Sequence, residues 1–364
     1  MVLSQKDSKK KVALGFKKDI FSKYKVDWTY DVNKKNFNDI KIIILKYISS
    51  SEFIVKQNNG IELNSSNFKL IFKSKNFILK KWPDGMMLSE IKKTLNLMIW
   101  LNKKKIPVPI PQNFKNRKII IKFNNNYWSY FNFIDGNHFK GKLIEMKNVA
   151  KFLGNLINVL DEYPIKKIRK QLEYFSEQDS KILNFMKKNI NKLDKYFSKK
   201  HSKIIRRYFP KIFNTSKEFR KMTCNKKIKS IIHMDIHPHN ILTKNNKVKA
   251  LLDLDSCVLG RVEYSISYAA LKICKQTVIY NKTFFECNKI RQQFMNNLKK
   301  TYKKQISKQK EINLYYYAVS EVLRRLLYMF KLTILKKDKK WNDIIPIQIE
   351  HLIECEKLFL ATKY

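Results

Sequence analysis

Of 364 residues only nine are arginine, seven glycine and five cysteine, and acids number 30. Each scarcity excludes something. The cysteines (224, 257, 274, 287 and 355) are scattered and odd in number, with no Cys-x-x-Cys pair, which argues against a zinc ribbon or a thiol redox motif. Free thiols fit a reducing cytoplasm, the expected location. No run approaches the ~18 uncharged apolar residues of a membrane-spanning helix. The first 25 residues hold eight lysines and no long apolar run, which speaks against a secretory signal. The shortage of acid against 76 Lys and Arg leaves a formal charge of +46, which at first suggests a nucleic-acid partner. The shortage of arginine tells against that reading. Lysine supplies 67 of the cations, whereas arginine is the residue that forks phosphates and reads bases. With few glycines and a joint excess of Lys, Asn and Ile, AT-rich coding bias is the simpler source of the charge. Nucleic acid is therefore not an expected partner, although peripheral contact with an anionic surface stays compatible with the charge.

What is present is the composition of a folded protein. Hydrophobic residues make up 44% and aromatics 13%, which excludes disorder for most of the chain. The length suggests two domains or lobes, and a chain of this size buries roughly 75% of its unfolded surface without disulfide or metal staples.

Residues 1 to about 20 are lysine-rich and expected to fray. Residues 38–48 (NDIKIIILKYI) read equally as a short helix or a buried strand. The period then changes to two. EFIVKQ, NFKLIFK and NFILKKW are strand candidates, with Asn58-Asn59-Gly60 between the first two and a hairpin-length gap at Ser74-Lys75. Trp82-Pro83-Asp84-Gly85 is a stop. Residues 87–102 carry Leu88, Ile91, Leu95, Met98, Ile99 and Leu101 at helical spacing, with Ser89 at the start. Ile106 to Pro111 is extended, since each proline pushes its predecessor out of the α region. RKIIIKF and YWSYFNFI are two further strands joined at Asn124–Asn126, and Asp135-Gly136 closes the second. Beyond Gly136 the pattern is helical over 143–160, 168–200, 203–222 and from 262 onward, interrupted by a β-rich island at 229–255.

That island, SIIHMDIHPHNILTKNNKVKALLDLDS, carries the chemistry. A short apolar strand leads into His233-Met234-Asp235. Asn240 follows five residues after Asp235, then a hairpin turned at Asn245-Asn246, then Asp253-Leu254-Asp255. This order of acid, amide, hairpin and acid pair suits phosphoryl transfer. One carboxylate suffices to orient a nucleophilic hydroxyl and take its proton, the role expected of Asp235. Mg²⁺ prefers hard oxygen ligands and keeps several waters; Asn240 and Asp253 would hold it, with Asp255 as a second metal or substrate contact. His233 is expected to brace the loop. Taken singly these residues read as turn formers; as an ordered set beside buried strands they read as a site. His237 and His239 without cysteine are a weak zinc pattern.

HMDIHPHNIL and ALLDLDS resemble the catalytic loop and metal-binding strand of the aminoglycoside phosphotransferase and choline kinase-like superfamily, which shares the protein-kinase fold. The resemblance spans roughly residues 65–275 in scattered blocks. It implies an α+β, two-lobed protein-kinase-like fold: an antiparallel β lobe with one helix over 1–135, and a mainly helical catalytic and substrate lobe with a small β-hairpin over 136–364. NFILKKW resembles the strand bearing the ATP-phosphate lysine, which makes that residue Lys80; Lys81 competes from the opposite face. Glu90 is the only acid in the following helix and the implied partner of Lys80, although the family position falls near Thr94. No glycine-rich loop is visible, so Ser65, Ser66 and Asn67 would cover the phosphates. YWSYFNFIDG, with Phe133, resembles the last strand and hinge that meets adenine. Met234 replaces the usual glycine, and Asp-Leu-Asp with no activation segment favours a small-molecule substrate over a protein.

The resemblance thus implies an ATP- and Mg²⁺-dependent phosphotransferase acting on a hydroxyl of a sugar, amino sugar or amino alcohol. Two alternatives stand beside it: a kinase of a surface-glycan or lipopolysaccharide sugar, and a catalytically silent pseudokinase that binds RNA or a protein. His138 is expected in a hinge turn. Arg324-Arg325, on the apolar run VLRRLLYMF, are expected in salt bridges or on a solvated face, and Tyr315–Tyr317 and Tyr328 in the core or a pocket wall.

Overall fold

The computed structural model describes residues 28–29, 32–48, 52–58, 66–72, 74–165, 168, 176–223, 230–306 and 308–360. The amino-terminal 20 residues, the Asn59-Gly60 turn and Ser65 lie outside them. By their internal contacts the residues fall into two units: 20–139 with 239–257, and 140–238 with 258–364. The fold is α+β, with an antiparallel sheet in the first unit and a mainly helical second unit.

In the sheet unit, β1 (Trp28–Thr29) is followed by α1 (Lys34–Ile43), capped by Asn33, whose side chain accepts from the Asn36 N–H at 2.8 Å. A π-type turn over Ile44–Ile48 extends it. Ile40, Ile43 and Ile44 are fully buried at helical spacing, so the stretch that periodicity left open between helix and strand is a helix. Then come β2 (Ile54–Asn58), β3 (Ser66–Phe72), β4 (Lys75–Lys81), α2 (Leu88–Lys103), β5 (Pro111–Gln112), β6 (Ile121–Phe123), β7 (Asn126–Asn132) and β8 (Asn137–His138). The strand order is β1-β2-β3-β4-β7-β5, with β6 also on β7. The β3–β4 hairpin runs from Ser66↔Lys81 to Phe72↔Lys75, with Ser74 at φ 57 in its turn. One face of the sheet buries Val55, Phe68, Leu70, Leu79, Trp128 and Tyr130 against Ile40, Ile43 and Ile44. Each such side chain stabilises the unit by about 1.5–3 kcal/mol. Helix α2 spans almost the expected residues, but its N-cap is Met87, with no side-chain cap; Ser89 sits within the first turn.

The helical unit opens with α3 (Leu143–Glu162), α4 (Glu177–Lys188) and α5 (Lys199–Thr223). The single helix expected over 168–200 does not form across its described part. Asn189 caps α4, a 3₁₀ turn covers Ile190–Lys195, and the Ser198 hydroxyl accepts from the His201 N–H to start α5. Strand β9 (Ser230–His233) follows. The hairpin β10 (Ile241–Lys244) and β11 (Lys247–Leu251) belongs to the sheet unit, where β8 pairs with β10. Asn245 and Asn246 turn it with φ of 51 and 62, the left-handed values a tight hairpin demands. β12 (Cys257–Gly260) pairs with β9, and α6 (Val262–Asn281), α7 (Cys287–Lys299), α8 (Lys308–Leu335) and α9 (Ile345–Phe359) complete the unit. Helix α6 is buried on nearly every side, and its Lys275 pairs with buried Glu354 of α9 at 2.8 Å. Among the described residues no helix is long and apolar enough to cross a membrane.

Candidate active site

Alternation along β4 sets the first constellation. Ile78, Lys80 and the following Trp82 share one face, while Leu79 and Lys81 point the other way, Leu79 into the core and Lys81 to 5.9 Å from the Trp128 ring. Register places Lys80 opposite Asn67 on β3 and opposite Ser129 on β7. The buried Ser129 hydroxyl accepts from Trp82 Nε1 at 3.1 Å, which fixes the indole beside the lysine. This face lines a cavity of about 280 Å³ that Thr94 and Met98 of α2 also line.

Lys80 is only 8% exposed. Its ammonium lies 3.7 Å from Asp255 Oδ2, 4.0 Å from Asp253 Oδ1 and 4.5 Å from the Trp82 ring centroid. A buried cation needs such compensation, here two carboxylates and a ring face. Asp253 takes the left-handed conformation at φ 55, which aspartate tolerates better than most residues. The 3₁₀ turn that follows brings Asp255 back to the same lysine. Ile241↔Leu251 register puts Asn240 across from Leu252, whose N–H donates to the Asn240 carbonyl at 2.8 Å. The base of the hairpin thus sets Asn240 beside Asp253. Among the described residues no three His, Cys, Asp or Glu side chains gather as a metal cluster. The donors available are two carboxylates and an amide, hard oxygens of the kind that suit Mg²⁺ with water completing its shell.

The second constellation lies in the helical unit. Asp235 follows β9, and its N–H donates to His233 Nδ1 at 3.2 Å. His233 is buried, and its carbonyl accepts from Ser265 Oγ at 2.8 Å, so the histidine holds the loop. Ile232, Met234, Val258 and Tyr264 form the apolar floor. Arg325 Nη1 donates to Asp235 Oδ1 at 3.0 Å and Nη2 to the Met234 carbonyl at 2.8 Å. His237 Nε2 lies 3.4 Å from Asp235 Oδ2. Burial alone would raise the Asp235 carboxyl; His237 and Arg325, helped by His233, override it and hold the group well below the usual carboxylate range.

Of the residues expected in the site, Lys80, Asn67, Phe133, Asp253 and Asp255 all line the one cavity. Asn240 stands at the hairpin base next to them. Ser66 pairs with Lys81 and so faces the opposite side of the sheet from Asn67. Glu90 is in the first turn of α2, and Thr94, one turn on, lines the cavity together with Met98. The Phe133 N–H donates to the Asn76 carbonyl, and Lys69 lies over its ring at 4.1 Å. The turn expected at His138 is a short strand, because Asn137 and His138 pair with Thr243 and Leu242. Tyr328 is exposed rather than walled in. Sequence reasoning missed Trp82 and undervalued Arg325. The i, i+2 spacing from Lys80 was the signal for the first. Two arginines inside an apolar helix were the signal for the second, since such cations are buried only when paired.

The model of the phosphotransferase enzyme family matches residues 58–279, more than half of the sequence, and the chain belongs to that family. The match agrees with the likeness of HMDIHPHNIL and ALLDLDS to the aminoglycoside phosphotransferase and choline kinase-like group. Solved structures share the fold at low identity. A spectinomycin phosphotransferase in complex with ADP and spectinomycin is 16% identical, with a TM-score of 0.66 over 90% of this chain and 100% of that one. A microcompartment-associated aminopropanol kinase is 12% identical, with a TM-score of 0.61 over 90% and 98%. A choline kinase from Cryptosporidium parvum is 14% identical, with a TM-score of 0.57 over 89% and 97%. Comparison with curated proteins gives no sequence match.

Proposed function

We propose that this chain is an ATP- and Mg²⁺-dependent phosphotransferase whose acceptor is a hydroxyl of a small molecule such as a sugar, an amino sugar or an amino alcohol. The observation that carries the reading is the buried Lys80 ammonium shared between Asp255 and Asp253 at the wall of the sheet-unit cavity. A lysine buried against two acids is poised to exchange them for phosphate oxygens and a metal. Asn67, opposite Lys80, would meet the phosphates, and Phe133 and its neighbours would bound the adenine. Asn240 and Asp253, with Asp255, would hold Mg²⁺, which when bound neutralises phosphate charge.

Asp235 would orient the acceptor hydroxyl and take its proton as the oxygen bonds to the γ-phosphorus and ADP departs. The low carboxyl pKa favours the first part of that role, because it keeps the group ionised below the usual carboxylate range. The spectinomycin phosphotransferase, the aminopropanol kinase and the choline kinase support an amino sugar or amino alcohol as acceptor class. Incubating the protein with γ-labelled ATP, Mg²⁺ and a panel of sugars, amino sugars and amino alcohols tests the reading. Label in one acceptor class is the expected result; no label in any acceptor together with no ATP binding would overturn it.

A further inference from the structure

We propose that Arg325 is a positioning residue for Asp235, fixing its carboxylate so that Oδ2 is the oxygen presented to the acceptor hydroxyl. The inference rests on reading Asp235 as the proton acceptor. Three nitrogens of one guanidinium are committed. Nη1 donates to Asp235 Oδ1 at 3.0 Å, Nη2 to the Met234 carbonyl at 2.8 Å and Nε to Glu321 Oε1 at 2.7 Å. The planar fork therefore grips the side chain of one residue and the backbone of its neighbour, which sets the carboxylate plane relative to the loop. The Tyr268 ring covers the guanidinium at 4.1 Å.

The fork is itself anchored. Glu321 is fully buried and also accepts two bonds from Arg324, each at 2.8 Å. Oδ2, the oxygen that Arg325 does not take, faces His237 Nε2 at 3.4 Å, and His233 receives the Asp235 N–H. Lysine could supply the charge but not the fork. Arg324 shares Glu321 yet among the described residues it donates to that residue alone, so it separates a structural role from a positioning one.

The test is Mg²⁺-dependent ATP hydrolysis, with water as acceptor, by the full chain between pH 5 and 8. Arg325→Met is expected to lower kcat on the order of 100-fold, the usual cost of a small misplacement of a reacting group, with little change in KM for ATP. It should also create an acid limb that the wild type lacks, because burial at the Asp235 carboxyl is then opposed by His237 and His233 without the guanidinium. Arg325→Lys should remove the acid limb but leave kcat depressed. Arg324→Met should lower the melting temperature without an acid limb.

Wild-type kcat and a flat profile in Arg325→Met overturn the proposal, as does the same acid limb in Arg324→Met. Where Arg325→Met fails to fold, wild-type kcat in Arg325→Lys overturns it. Asp235→Asn separates the two levels. If that variant keeps wild-type hydrolysis, or the wild type shows none, the reading of Asp235 fails and this inference with it. If Asp235→Asn is inactive while Arg325→Met is unimpaired, only this inference fails.

Discussion

Arg325 Nε lies 2.7 Å from Glu321 Oε1, and the same glutamate holds Arg324 at 2.8 Å, so one fully buried carboxylate is shared by two adjacent guanidiniums, with Asp235 as the second acid on Arg325. Two cations on consecutive residues of a mostly apolar helix need such acid partners. Removing Glu321 takes the carboxylate from Arg324 and leaves Arg325 with Asp235 alone. Glu321→Ala is therefore expected to cost about 3–5 kcal/mol, the range for breaking a buried pair from one side. Thermal or urea denaturation checks it; a loss under about 1 kcal/mol, the exposed-pair range, would contradict the described burial.

A second expectation concerns pH. The folded pKa of Asp235 is depressed well below its ordinary value of about 3.9, chiefly because His237 and Arg325 outweigh burial. Glu321 is also lowered, burial again being outweighed by Arg324 and Arg325. A depressed carboxyl contributes stability that is present above the unfolded pKa and lost as pH falls through the folded one. Urea midpoints should therefore hold steady from pH 7 to about 5 for these groups and fall below about 4. Asp235→Asn should weaken that acid-side fall. An unchanged acid dependence in the variant would sink the assignment of Asp235 to it.

The third concerns Lys80. Lys80→Met keeps the length of the stem and its packing against Trp82 but removes the ammonium between Asp253 and Asp255. Two carboxylates would then face the phosphates of the proposed nucleotide unrelieved. ATP affinity measured by calorimetry should drop about tenfold or more, since a charge-assisted bond to phosphate is worth about 1.5–3 kcal/mol. Unchanged affinity would show that Lys80 does not meet the nucleotide.

The fourth tests the strand that closes the cavity rim. A Cβ on Gly136 would come within 3.2 Å of the Thr243 carbonyl and 3.3 Å of Leu242 Cβ. Neither neighbour is a flexible chain end, and both lie on β10, which pairs with β8. Gly136→Ala is expected to destabilise by about 1–3 kcal/mol, the overpacking range. A melting curve decides it.

Much of this was legible in the sequence because period and register are local. The β3–β4 hairpin, helix α2 and the Asn245-Asn246 turn follow from alternation, helical spacing and left-handed asparagines. Lys80 and Asn67 share a cavity face for the same reason. What stayed hidden depends on contacts far apart in the chain. Arg325 reaches Asp235 across 90 residues, and no local pattern marks which arginine on a helix turns inward. The helix of 38–48 was ambiguous because four consecutive apolar residues fit both periods; only burial of Ile40, Ile43 and Ile44 on one side decides. The break at Asn189–Ser198 rests on caps that hydrophobic spacing does not record.

The most direct test of the account is phosphate transfer by Asp235→Asn beside the wild type, using an acceptor that the wild type labels. The variant keeps the size of the side chain and its bond to Arg325 but cannot take a proton. Turnover is expected to fall by about 10²–10⁴, the usual range for removing a positioned proton acceptor, while ATP binds as before. Full turnover in the variant would contradict the account.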